Sequence, residues 1–415
     1  MKKNMYLLLA LTCVSLIGST LLEFALSLHY LDRTHDSKMF TLILITTMVV
    51  GFAVNPLIGY IVDKFSKKYL VIIAEFISLL GLSIFYYHSQ FLSTVIGIII
   101  LNCILAIADS ISLVVFQSDM RALVGEKLLE TYIIYNRIVT RIMLIVTPLL
   151  GGLIYSIINV KSILMIAFIT EFLSLLIILF MKFTKLNVAN QAIHQNKNSN
   201  FYNDFKEVFQ FVRINKLLYL IFFTSFLINF LFSFITIGTQ TSIVNIFHLS
   251  ASNIGLIGTF VSLGSILTTL NMNKLKKKGY NQFFYLSIAL MALIIIINLI
   301  PFFILSNYIL VFIIIGSLIG GVATALFTIP NSIYKQLILP ENIKGKYFSI
   351  ENAFTFFSIP FGYAISGLLY SFSQKSYVIV YICLFITISI FLFSIRKVPF
   401  QQLYDQILLQ KNSEK

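Results

Sequence analysis

Seven ionisable residues stand inside long apolar text: Glu23, Glu75, Asp109, Glu171, Glu351, Arg137 and Arg141. Charge in hydrocarbon is costly, so each is a functional candidate: a proton carrier, a cation ligand or half of an ion pair. Glu23 has no base beside it in its own apolar stretch, and a desolvated, unpaired carboxyl is suited to proton exchange. Its alternative is a side chain that reaches outer headgroups or pairs with Arg33. Asp109 and Arg141 each lie about nine residues, or roughly 14 Å, from the inner end of their stretches. They are expected to pair, as a structural contact or as a proton-linked switch. Glu351 lies near the inner end of a later stretch, and Glu75 and Glu171 are expected to make polar contacts between helices.

The elements that must position these groups are membrane helices. Of the 415 residues, 58% are apolar and 11% charged, against about half and about a quarter in an average soluble domain. A spanning helix needs about 20 mostly apolar residues. Twelve such stretches are predicted, approximately 5–30, 39–61, 70–87, 91–116, 132–158, 162–181, 217–247, 253–270, 283–305, 308–329, 346–371 and 376–395. They are continuous runs rather than alternating ten-residue segments, which excludes a β-barrel. The first is too long for a signal peptide and contains Glu23, so it is expected to be retained.

The charge balance is +14, from 30 Lys and Arg against 16 Asp and Glu. With both termini cytoplasmic, 24 of the 30 bases fall in inner segments. Only Arg33, Lys38, Lys161 and Lys375 fall in outer ones. That asymmetry is the positive-inside signal of a multi-pass protein in the cell membrane, and it removes most of the case for nucleic acid. The cluster Lys274, Lys276, Lys277 and Lys278 is read as an orientation signal near anionic headgroups. Cys13, Cys103 and Cys383 all fall inside spans without metal spacing, and no disulfide is expected. With no Trp, tyrosines are expected to form the interfacial belt: Tyr30, Tyr86, Tyr87, Tyr308 and Tyr334 sit near span ends.

The longest polar stretch, centred on Asn-rich text, divides the spans six against six. The expected organisation is a six-helix bundle over 1–183 and a cytoplasmic linker over 184–215 that holds an amphipathic run (Phe205–Val212). A second six-helix bundle covers 216–397, and a tail covers 398–415. At an offset of 215 residues the halves match: Glu126 with Glu341, Tyr132 with Tyr347, Gly152-Leu153 with Gly367-Leu368, Tyr155-Ser156 with Tyr370-Ser371. A run of matches at one helical position points to an internal repeat. Parallel six-plus-six repeats are an architecture of secondary transporters.

The turn after the second span carries Gly59, Asp63, Lys64, Lys67 and Lys68. Gly-x-x-x-Asp-Lys-x-x-Lys-Lys resembles the signature loop of the major facilitator superfamily, with Ser66 where that loop usually has a further glycine. The resemblance implies an all-α fold of two six-helix bundles that rock about a substrate site near mid-membrane. It also implies that Asp63 contacts helix eleven, beginning near Gly345-Lys346, and latches the outward-facing state. The matching loop of the second half, Asn273–Gly279, has no acid, so the latch is expected in the first half alone. Thr147-Pro148-Leu149-Leu150-Gly151-Gly152 resembles the end of the superfamily's antiporter motif, with Thr147 in place of a glycine. Pro148, Gly151 and Gly152 would form a pliable packing seam.

Ser15–Ser19 with Phe24-Ala25-Leu26, Asn55-Pro56-Leu57-Ile58-Gly59, and Gly345-Lys346 with Pro360 and Gly362 resemble the macrolide and multidrug efflux branch. Helix one lines the central cavity in that family. The resemblance therefore implies coupling roles for Glu23, Asp109, Arg141 and Glu351. It implies an exporter of amphipathic small molecules, driven by proton antiport, in the plasma membrane. The alternative is an exporter of an endogenous metabolite such as a siderophore or small peptide. No ATP-binding loop, HExxH or catalytic triad is present, so no enzyme activity, metal or cofactor is expected. The partners expected are substrate, protons and lipid.

Overall fold

A computed structural model gives the architecture. It describes every residue except 35–36, 89, 91–93, 184–200, 250–251, 273–279, 304–307, 342 and 396–415. The linker core, the Lys274–Lys278 cluster and the tail therefore lie outside the described residues.

The described chain is helical throughout, without strands. The helices are α1 (Lys2–Thr34), α2 (Ser37–Lys64), α3 (Lys67–Tyr87), α4 (Val95–Val124), α5 (Glu126–Ile157), α6 (Val160–Phe180) and α7 (Phe201–Ile214). They continue as α8 (Lys216–Asn245), α9 (Ser252–Leu270), α10 (Tyr280–Leu299), α11 (Ile309–Ile338), α12 (Lys344–Ser371) and α13 (Gln374–Ile395). All except α7 correspond to the twelve apolar stretches. Nine of them, among the described residues, are long and apolar enough to cross a membrane. Their apolar residues surround each helix, so exposed leucines, isoleucines and phenylalanines such as Leu80, Ile96, Phe180 and Phe393 are surface suited to lipid.

The chain forms two compact units, Met1–Ile214 with Leu339–Phe357, and Asn215–Ile338 with Ser358–Lys415. In the first, α1 packs on α5 and α6, α4 on α2 and α3, and α3 on α6. Leu21, Leu22, Leu26, Leu82, Phe85, Ile98, Leu101, Ile163 and Leu164 form a core where α1, α3, α4 and α6 meet. The amphipathic α7 buries Val208 and Val212, and Phe209 lies 6.3 Å from the Phe354 ring.

The second unit repeats the pattern. The α2–α4, α3–α4 and α3–α6 contacts recur as α9–α11, α10–α11 and α10–α13. The α9–α11 seam is close enough to demand glycine. A Cβ on Gly264 would overlap the Leu318 carbonyl, and one on Gly321 the Val261 carbonyl. Without a solvent-driven hydrophobic effect between helices, this backbone contact supplies the packing. A hydroxyl network also ties this unit. Thr239 Oγ1 lies 3.1 Å from the Tyr381 hydroxyl, Tyr370 donates to the Phe234 carbonyl at 3.1 Å, and Tyr377 donates to Thr241 at 3.1 Å.

Two sequence expectations meet the structure directly. The three cysteines are free. Tyr86, Tyr87 and Tyr308 are exposed, as a belt requires, but Tyr334 is buried. The reason is that α11 runs on to Ile338, so Tyr334 is interior to the helix and not at its end.

Candidate functional site

The α2–α3 turn is short: α2 ends at Lys64 and α3 starts at Lys67. Asp63 is thus held at a helix end beside the N-terminus of α12. The first N–H groups of a helix have no intrahelical acceptor, and that end carries partial positive charge. Asp63 meets both needs: Oδ1 accepts the Gly345 N–H at 3.0 Å and Oδ2 the Lys346 N–H at 2.9 Å. Gly59 stands one turn earlier on α2. A Cβ there would overlap the Ser349 side chain, and a Cβ on Gly345 would overlap the Asp63 carboxylate. Glycine at both places permits the approach. Burial pushes the Asp63 carboxyl up to about 7, against the pull of the Lys346 and Gly345 N–H groups and of the Lys67 and Lys346 charges.

The lysines of the turn have separate partners. Lys67 Nζ donates to Asp119 Oδ1 on α4 at 3.0 Å, with both side chains buried. Lys68 Nζ donates to the Leu179 and Met181 carbonyls at 3.1 and 3.3 Å, where it satisfies the end of α6. Lys64 donates to the Tyr60 hydroxyl on its own helix. Around the N-terminus of α12, buried Lys344 pairs with Glu341 at 2.6 Å, and Asn352 Nδ2 donates to Gln117 Oε1 on α4 at 2.8 Å. The stretch 339–357 is therefore tied to α2 and α4 by hydrogen bonds. This explains its place in the first unit.

Sequence reasoning missed Asp119, Gln117 and Ser349. Asp119 carries a signal, because it is an acid near the C-terminal end of α4 opposite a turn rich in lysine. Ser349 and Gln117 carry none, since their roles depend on helix rotation.

The acids and bases within the spans separate. Glu75 on α3 and Glu171 on α6 are buried and share a hydrogen bond, so the expected polar contact between helices links these two residues to each other. Glu351 is buried on α12 in the first unit. Asp109 is exposed on α4. Among the described residues no ion pair joins it to Arg141, which corrects the sequence expectation. Sequential helices are not the principal neighbours here: α4 packs on α2 and α3, whereas α5 packs on α1. Asn136 on α5 instead accepts a hydrogen bond from Thr12 on α1 at 2.9 Å. α5 continues as a helix through Pro148, Gly151 and Gly152. The surroundings of those three, and the Glu23 side chain, lie outside the described residues. The described residues contain no cluster of His, Cys, Asp and Glu able to hold a metal ion.

The family profile described as Major Facilitator Superfamily matches residues 8–243 and 221–404. The chain belongs to the major facilitator superfamily. No curated protein sequence matches. Among solved structures, this major facilitator protein is similar to a bacterial homologue of the iron transporter ferroportin in its outward-facing state. The TM-score is 0.72 at 14% identity, over 94% of this chain and 98% of that one. It is similar to the human organic anion transporter MFSD10, with TM-score 0.71 at 13% identity over 94% and 99%. A third is a major facilitator proton:xylose symporter, with TM-score 0.64 at 13% identity over 92% and 94%. At these identities the likeness is one of fold. The chain is thus a multi-pass membrane transporter of small molecules.

Proposed function

We propose that the protein exports amphipathic small molecules, as macrolide and multidrug exporters do, by rocker-switch alternating access driven by proton antiport. In this reading it lies in the plasma membrane with both termini cytoplasmic, as its basic inner segments favour. The observation that carries the reading is the Asp63 carboxylate on the Gly345 and Lys346 N–H groups. A charge-assisted cap between the α2–α3 turn and α12 is a contact that a transport cycle can make and break. Gly59, Lys64, Lys67 and Lys68 support it, Pro148, Gly151 and Gly152 supply the pliable seam, and Glu23, Asp109 and Glu351 are the candidate proton carriers. Protonation and substrate binding then bias one conformational equilibrium in opposite senses.

The test is a panel of amphipathic compounds in proteoliposomes with an imposed pH gradient. Gradient-dependent movement is expected for at least one compound, lost in Asp63→Asn and in Glu23→Gln. Movement that ignores the gradient, or none for any compound, removes the reading.

A further inference from the structure

Arg137 and Arg141 lie four residues apart on α5, so they share one face of the helix about one turn apart. They stand about 16 and about 22 Å along the helix from its start at Glu126. The Nε atom of each is buried and, among the described residues, has no hydrogen-bond partner. Among the described residues neither guanidinium enters an ion pair. Among the described residues, the charge that acts on Arg137 is that of Arg141, which repels it.

Three buried acids of the unit are engaged elsewhere: Glu75 with Glu171, Asp63 with α12, Asp119 with Lys67. Two like charges one turn apart in a membrane helix are unfavourable by themselves, and such arginines mark a pathway for ligand. A guanidinium is a planar fork of donors that matches a carboxylate, sulfonate or phosphate in two parallel bonds. The same helix face is apolar on either side of the pair, with Ile134 three residues before Arg137 and Leu144 three residues after Arg141.

We propose that Arg137 and Arg141 form the anion-binding element of the substrate site, and that the transported molecule is an amphipathic organic anion with a carboxylate, sulfonate or phosphate head. This rests on the transporter reading above and narrows its substrate class, but it does not depend on proton coupling or on export direction. The apolar body lies along the α5 face and the anionic head bridges the two guanidinium groups. The ligand cancels the repulsion that the empty pair carries.

The test uses two dyes that share a xanthene core and differ in charge: fluorescein, an anion at pH 7.5, and rhodamine 6G, a cation. Binding to purified protein in nanodiscs of zwitterionic lipid is read by fluorescence anisotropy. Fluorescein is expected to bind at least about tenfold more tightly than rhodamine 6G. Arg137→Gln and Arg141→Gln should each cost about tenfold in fluorescein affinity, and together abolish the preference. The double Lys variant keeps both charges and controls for folding; it should keep the preference at reduced affinity.

Equal or tighter rhodamine binding overturns the proposal. So does saturable fluorescein binding that is absent up to about 1 mM, or unchanged in the folded double Gln variant. A second arm adds anionic phosphatidylglycerol. If that lipid displaces fluorescein and proteoliposomes do not move the dye, the pair is a headgroup site and the substrate assignment fails. The two readings separate cleanly. Proton-driven movement of rhodamine 6G, indifferent to the arginines, sinks this inference alone. Charge-selective, arginine-dependent movement of fluorescein without gradient dependence sinks proton coupling alone.

Discussion

Asp63 caps α12 through the Gly345 amide at 3.0 Å. One carboxylate near the end of α2 thereby satisfies two of the open donors of a helix that lies more than 280 residues later in the chain. The bond joins an anion to the positive end of a helix dipole, so geometry and charge favour the same contact. The glycines at 59 and 345 are what allow the two backbones to come this near.

Removing the carboxyl oxygens that accept the two N–H groups should release this contact. Hydrogen bonds to charged groups contribute about 1.5–3 kcal/mol each, so Asp63→Ala is expected to shift the engaged fraction about tenfold or more and to lower transport in proportion. Gly59→Ala should act in the same direction without altering charge, because the new methyl meets Ser349. Ser349→Ala should recover part of the loss. The chain has no Trp, so Phe65→Trp beside the turn is a single fluorescent reporter of engagement. An Asp63→Ala protein with unchanged reporter signal and transport would contradict the role.

Engagement should also depend on pH. The engaged Asp63 carboxyl stands at about 7, whereas a solvated Asp lies near about 3.9. Between these values the engaged state holds the proton and the released state does not. Acidification from about pH 7 toward about pH 4 therefore favours engagement, and above pH 7 the slope vanishes. Lys67 and Lys346 face the carboxyl. The Phe65→Trp signal should follow that curve in the parent protein and stay flat in Asp63→Asn; the opposite slope would reject the assignment.

The Lys67–Asp119 pair is buried at 3.0 Å. Breaking one side of such a pair leaves an uncompensated charge and costs about 3–5 kcal/mol. Lys67→Met and Asp119→Leu should each lower the melting temperature strongly, and the double variant should be more stable than either. Additive losses in a double-mutant cycle would show that the two residues are not coupled.

Glu75 and Glu171 share a hydrogen bond only while a proton lies between them. A Gln amide can donate in its place without a proton. Glu75→Gln should therefore keep the melting temperature within a few degrees, and make it less sensitive to pH. Glu75→Leu removes the donor and leaves Glu171 buried alone, which should destabilise by about 1–3 kcal/mol. Melting curves of the two variants across pH decide the matter; equal losses for Gln and Leu would show that packing volume, not the proton, matters there.

Much of this was legible from sequence, for definite reasons. Length and apolarity of each run are local properties, and they set the twelve long helices because a bilayer core leaves few other solutions for the backbone. The order Gly59, Asp63, Lys67, Lys68 marked the turn through its resemblance to the superfamily's signature loop, which implied the contact with α12. The cost of burying charge marked Glu75, Glu171, Arg137 and Arg141 as groups to explain.

Which group meets which was decided only in three dimensions. Asp109 and Arg141 stand on helices whose main partners differ, because α4 packs chiefly on α2 and α3 and α5 chiefly on α1. Glu75 found Glu171, and Lys67 found Asp119, through the rotation of helices that hydropathy leaves free. The stretch 339–357 joined the first unit because its open N–H groups, Ser349 and Asn352 meet α2 and α4 there. Sequence alone determined the spans and the few charges worth following, because burial in lipid penalises each charge wherever it stands. The tertiary structure decided the partners, because a hydrogen bond needs atoms within about 3 Å and a set direction, and only packed helices provide both.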